Sequence, residues 1–250
     1  MMHRPLSLKP PFFEFGPKLY LYGQTMLDLA RAIDESAIRH DVDIILTVGY
    51  TDIRPIAENT KRVNVFAPHM DPLPIGAGSG AVLAEAIKDA GAVGVQLNHC
   101  EKPLSLDVME QTIRRADEAG LATMVCADSV EDVKTIAAMR PTVLVAEPTE
   151  LIGTGTTSDE SYVRETLAAV QAIDPKIMVL QAAGISNAKD VYDVIRLGAQ
   201  ATGCSSGIAK AADPAAMAEE MISSVRRAWE EASRLRQGYG GQAGVRESRE

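Results

Sequence analysis

A unit of helix end, glycine and short apolar strand recurs along the chain, and it restricts the fold more than any other feature. It is clearest in KDAGAVGVQL (Lys88–Leu97), ADEAGLATMVC (Ala116–Cys126) and VIRLGAQATGC (Val194–Cys204). Each glycine stands where a helix stops, because glycine enters the left-handed conformation without steric cost. The strand that follows is a near-continuous apolar run rather than an alternating one. That is the pattern of a parallel strand covered on both faces.

Eight such runs are expected as strands: Phe12–Phe15, Asp43–Thr47, Val63–Ala67, Val93–Leu97, Ala122–Cys126, Thr142–Ala146, Ile177–Leu180 and Ala199–Cys204. Between them, apolar spacing predicts helices. Gln24–Ile38 places Met26, Leu27, Ala30 and Ile33 on one face, and Leu106–Ala119 turns Val108, Ile113 and Ala116 inward. Ser129–Met139 opens with the capping sequence S-V-E-D. About eight strand–helix units in a chain of 250 residues predict an α/β fold, a (β/α)8 barrel. A doubly wound open sheet is the alternative. The strand count and the lack of G-x-G-x-x-G after the first strand favour the barrel. Residues 1–235 are expected to form this single domain, with Pro214–Leu235 helical. Residues 236–250, RQGYGGQAGVRESRE, are rich in glycine and charge and are expected to be a disordered tail.

Composition excludes several classes of function. With 46% hydrophobic residues, the chain can bury a core without disulfides or metals. A net charge of −9 and the lack of a basic patch argue against nucleic acid as a partner. No run approaches the roughly 20 apolar residues of a membrane span. The opening MMHRPLSLKPPFF is too polar and proline-broken for a signal peptide. Cys100, Cys126 and Cys204 are far apart and form no C-x-x-C motif. No zinc site is expected, and a reducing, cytoplasmic setting is.

In such a barrel, chemistry gathers where strands end and loops begin. Polar groups follow five of the expected strands. Lys18 follows the first, and Asn98, His99 and Glu101 follow the fourth. Glu147 follows the sixth and opens EPTELIGTGT, which has the look of a lid with glycine hinges. An isolated strand-end glutamate is usually a solvated one. Here one side faces an apolar strand, Pro148 stiffens its position, and the lid would exclude water, all of which suit a general base. His99 ends a strand in an apolar setting, where a neutral imidazole can donate to a carbonyl oxygen. Glu101 is placed to hold Lys18 or to cap the next helix. His40 is expected to cap a helix end, and His69 to be structural. Glycine loops at Ala183–Ser186 and Ser205–Gly207, with the IGTG loop, point to a phosphorylated ligand.

Taken together, these segments resemble the triosephosphate isomerase family, in its shorter archaeal-type branch. The matching stretches are TDIR (Thr51–Arg54), VFAPHMDP (Val65–Pro72), EAIKDAGAVG (Glu85–Gly94), LNHCE (Leu97–Glu101), ATMVC (Ala122–Cys126), AEPTELIGTG (Ala146–Gly155) and AGIS (Ala183–Ser186). The resemblance implies an aldose–ketose isomerase acting on dihydroxyacetone phosphate and D-glyceraldehyde 3-phosphate, without a metal or organic cofactor. It implies Glu147 as the base, His99 as the electrophile and Lys18 as the countercharge to an enediolate. Gly16, Ile152, Gly153, Gly184, Ser205 and Ser206 are the implied substrate and phosphate positions, with Asn98 and Glu101 in support. It also implies a homodimer or homotetramer, with the loop GAGSGAVL (Gly76–Leu83) at a subunit contact. The chain departs from the family at three places. Gly16-Pro17-Lys18 replaces Asn-x-Lys, QAAG replaces a glycine-richer turn, and CSSG replaces a more apolar stretch. Another small phosphorylated ketose, such as a tetrulose phosphate, is the alternative substrate. A non-catalytic sugar-phosphate-binding barrel is the alternative function, and it is disfavoured because Lys18, His99 and Glu147 are all kept.

Overall fold

Strand and helix alternate through the described residues, 5–240, of the computed structural model, with side chains to 235. The strands are β1 (Phe12–Phe15), β2 (Asp43–Thr47), β3 (Val63–Ala67), β4 (Gly94–Leu97), β5 (Ala122–Ala127), β6 (Val143–Ala146), β7 (Met178–Gln181) and β8 (Ala201–Cys204). All pair in parallel with their sequence neighbours, and β8 returns to β1 to close the barrel. The helices are α1 (Gly23–His40), α2 (Ile53–Asn59), α3 (Ala84–Asp89), α4 (Leu106–Ala119), α5 (Val130–Ala138), α6 (Glu160–Ile173), α7 (Ala188–Arg196), α8 (Ser206–Ala209) and α9 (Pro214–Gly240).

Two apolar layers hold this together. Inside the barrel lie Phe12, Ile45, Phe66, Met124, Val143, Val145, Leu180 and Ala201. Between strands and helices lies the larger layer, with Phe13, Phe15, Ile44, Leu46, Val125 and Leu144 facing residues such as Met26, Ile33 and Val191. The alternation follows from the two-residue period of a strand. Glycine balances bulk inside: a Cβ on Gly94 would sit 2.4 Å from the Phe66 ring. The segment before β1 closes the N-terminal end of the barrel. Leu6 and Leu8 pack against the interior layer, and the Lys9 amide donates to Asp43 Oδ2 at 2.9 Å.

The recurring glycines do what their position predicts. Gly91, Gly120 and Gly198 have φ of +105°, +72° and +110°, each directly beyond a helix. Ser129 caps α5 in a reciprocal capping box with Asp132. Three details differ from the sequence reading. Val108 is only half-buried, and Met109 takes its place beside Ile113 and Ala116 on the buried face of α4. Leu27 packs at the edge of α1, where Leu29 is buried instead. Residues 236–240 continue α9 rather than opening a loose tail, since extending a formed helix needs no new nucleus. The remainder of the expected tail, 241–250, lies outside the described residues.

Candidate active site

The polar strand ends converge at the C-terminal mouth of the barrel. Lys18, in the loop after β1, adopts φ of +51°, a left-handed conformation that costs a non-glycine residue energy. Its ammonium reaches across to β4 and pairs with Glu101 Oε1 at 2.9 Å. Burial alone would pull the Lys18 pKa down. The Glu101 hydrogen bond and the charges of Glu101 and Glu147 outweigh it and hold the lysine above its ordinary value. Glu101 therefore braces Lys18 rather than capping α4.

Glu101 also sets the state of His99. Its backbone amide donates to His99 Nδ1 at 3.1 Å. An Nδ1 that accepts must lack a proton, so a neutral ring carries its hydrogen on Nε2. Desolvation first, and the nearby Lys18 charge second, lower the His99 pKa and favour that neutral form. Asn98, also left-handed at φ +57°, does not face a ligand with its amide. It donates to Cys126 O at 2.9 Å and accepts from the Leu104 amide at 2.9 Å, so it pins the loop that carries His99.

Glu147 comes one residue after β6, with its backbone amide bonded to Ala127 O at 2.9 Å. Its carboxyl is raised above the usual carboxylate range by desolvation, partly offset by the Lys18 charge. The segment after it forms a short 3-10 turn, Thr149–Leu151. Ile152 is half-buried, and Gly153 and Gly155 follow with φ of +75° and +74°. The Thr149 amide ties the base of this loop to Asp128 Oδ1 at 2.7 Å.

The far end of that loop lands on Gly184. Ala183 and Gly184 have φ of +75° and +71°, and a Cβ on Gly184 would lie 1.8 Å from the Thr156 carbonyl oxygen. The loop after β7 thus serves as the seat of the loop after β6. Gly184→Ala is expected to unseat residues 153–157 and to cost about 1–2 kcal/mol in backbone strain. Hydrogen exchange should rise in that loop while the barrel strands stay protected, and unchanged exchange would refute the coupling. Beside it, Ser205 Oγ is buried without a hydrogen-bond partner, and Ser206 opens α8. Ser186 instead bonds to Asp190 Oδ2 at 2.7 Å and closes the start of α7. His40 bonds Glu219 at 2.7 Å, joining the end of α1 to α9. His69 is buried beside Asp71.

One group at the mouth escaped the sequence reading. Glu14 lies within β1, where FFEF reads as an apolar run, yet its carboxyl points into the barrel below the lysine loop. A charged residue in the middle of a strand buried on both faces was the available signal. Among the described residues, no group of three or more His, Cys, Asp or Glu is arranged to hold a metal ion.

The sequence model of triosephosphate isomerase matches residues 17–221. The chain belongs to the triosephosphate isomerase family. It is 35% identical to triosephosphate isomerase of Metallosphaera sedula over 228 residues, covering 90% of this chain and 100% of that one. The enzyme of Saccharolobus solfataricus is 33% identical over 225 residues, 88% of this chain and 99% of its own. That of Methanosarcina barkeri is 35% identical over 217 residues, 85% and 97% respectively. The barrel is also similar to the crystal structure of triosephosphate isomerase from Bartonella henselae, with a TM-score of 0.71. That match covers 88% of this chain and 100% of the other at 16% identity, and speaks to the fold. The family relation agrees with the archaeal-type branch that the motifs point to. No described helix is long and apolar enough to cross a membrane.

Proposed function

We propose that the protein interconverts dihydroxyacetone phosphate and D-glyceraldehyde 3-phosphate through an enediolate. The observation that carries this is the Glu101 amide bonded to His99 Nδ1, beside a lysine that the same Glu101 holds charged. It leaves a neutral imidazole with a donor free and a cation next to it, opposite the desolvated carboxyl of Glu147. Glu147 removes a proton from the carbon next to the carbonyl and returns it to the neighbouring carbon. His99 Nε2–H donates to the carbonyl oxygen and relays the proton between the two oxygens. Lys18 offsets the charge that develops on the enediolate. Gly16, Ile152, Gly153, Gly184, Ser205 and Ser206 border the same mouth as its substrate and phosphate positions. The unpartnered Ser205 hydroxyl supports a polar ligand there. The chain as a whole is acidic, so attraction for an anionic substrate rests on Lys18 and on backbone N–H groups.

A homodimer or homotetramer in the cytoplasm completes the proposal. Leu19 and Tyr22 after β1 and Ile75 directly before the Gly76–Leu83 loop are exposed large apolar residues, which supports contact surfaces. The deciding experiment is a coupled isomerase assay on triose and tetrulose phosphates in deuterated water. Triose phosphates should turn over, with deuterium appearing at the carbon next to the carbonyl. Turnover of the tetrulose phosphate alone would reassign the substrate, and no turnover would remove the activity.

A further inference from the structure

Glu14 is the buried titratable group that the mechanism leaves unused. On β1 the side chains alternate: Phe12 joins the interior layer, whereas Phe13 and Phe15 join the outer one, so Glu14 points inward. Its place is made by two glycines. A Cβ on Gly16 would lie 3.0 Å from Glu14 Oε1, and a Cβ on Gly203, its neighbour across β8, would lie 2.8 Å from Oε2. The carboxyl thus fills the space where side chains at positions 16 and 203 would begin. Oε1 is buried and makes no hydrogen bond of full geometry within the protein, although the Thr47 hydroxyl on β2 lies close enough to the carboxyl to favour its charge. A buried polar atom without a partner is costly and uncommon, and calls for a reason. Glu14 as a residue keeps part of its surface open although both strand neighbours are buried.

The groups around it are those of the catalytic mouth. Glu147 and Lys18 both act on its charge, Cys126 of β5 shares the barrel interior with it, and the Thr47 hydroxyl lies beside it from β2. Desolvation, strengthened by Glu147 and opposed by Thr47 and Lys18, lifts its pKa to about 8. The acid form carries one O–H donor. That suits a developing oxyanion, which an ionised carboxylate would repel.

We infer that Glu14 is a specificity-determining residue whose protonated carboxyl, seated between the glycine gaps at positions 16 and 203, donates a hydrogen bond to the substrate from the floor of the mouth. From two residues earlier, on the inward face of β1, its carboxyl supplies a polar group in the space beside Gly16. The inference rests on the isomerase reading only for the identity of the substrate.

The test is kcat/KM against pH for wild type, Glu14→Gln, Glu14→Leu and Glu14→Leu with Gly16→Asn. Wild type should lose about tenfold per pH unit above about pH 8, as Glu14 ionises. Lys18 is held high, His99 low and Cys100 high, so none of them accounts for that limb. Glu14→Gln should lack the limb. Glu14→Leu should lose about tenfold or more at pH 7, and Gly16→Asn should restore most of it by supplying a donor where the carboxyl stood. Superimposable alkaline limbs in wild type and Glu14→Gln, or a folded Glu14→Leu with wild-type kcat/KM, would overturn the inference. Calorimetry with 2-phosphoglycolate, a phosphorylated acid that mimics an enediolate, separates this from the isomerase reading. If triose phosphates do not turn over, its affinity should still fall above about pH 8 in wild type and not in Glu14→Gln. Equal pH dependence in the two would overturn the inference on its own.

Discussion

Glu147→Gln is expected to lower kcat about 10³- to 10⁴-fold, the upper part of the range for losing a general base. Glutamine keeps the shape of the side chain and cannot take up a proton at neutral pH. KM should move by less than about threefold, because the carboxylate is needed at the transition state rather than for holding the ground state. Loss of fold is separable from loss of chemistry by a sign argument. Desolvation raises the Glu147 pKa in the folded protein. Between its unfolded and folded values the native state holds the proton more tightly, so this group's stabilisation fades as pH rises through that window. At pH 8 the wild type carries a poorly solvated charge that Gln removes, and Tm of the variant should equal or exceed that of the wild type. Glu150→Gln, on the exposed face of the turn that follows, serves as the control. A kcat within tenfold of wild type for Glu147→Gln, with Tm unchanged, would exclude Glu147 as the base.

The barrel was legible because its two governing patterns are local. A glycine beyond a helix and an apolar run after it are set by neighbours within a dozen residues, and all eight strands fall within two residues of the expected bounds at each end. What was less legible depends on how helices rotate against the barrel. Val108 and Met109 are both apolar, so spacing alone does not decide which one turns inward; packing of α4 against the strands decides for Met109. The end of α9 is a similar case. Composition favours a break at residue 236, while helix propagation carries the backbone on to Gly240.

Much of the candidate site was legible too, since a barrel brings the strand ends to one mouth whatever their separation in the chain. Lys18 and Glu101 are 83 residues apart and meet at 2.9 Å. The sequence does not disclose which partner each group takes. Glu101 was equally suited to capping a helix, and Asn98 to facing a ligand; only the closed fold shows Glu101 bracing Lys18 and Asn98 stitching its loop to β5. Glu14 was hidden for the opposite reason. Its neighbours dominate the strand pattern, and its significance rests on two missing side chains, at Gly16 and Gly203, that are far apart in sequence.

Lys18→Met should lower kcat/KM about 10²- to 10³-fold, in line with removing one preorganised electrostatic group from a developing oxyanion. Methionine preserves the length and apolar stem, and Glu101 is largely exposed, so water takes over its solvation and the fold should lose little. The informative part is the pH profile. The Lys18 charge lowers the Glu147 pKa against desolvation, and after desolvation it is the main cause that lowers that of His99. Without it both rise. The base must be ionised and the imidazole neutral for turnover, so each change removes activity from the acid side. The acid limb of kcat should therefore move to higher pH in the variant. A limb that stays in place while the rate falls would mean that Lys18 binds substrate without sharing the electrostatics of Glu147 and His99. A residue of purely structural importance would move neither. The φ of +51° at this position is unaffected by the change, so the strain that aims the side chain into the mouth stays the same. The shift of the limb then reports the charge alone.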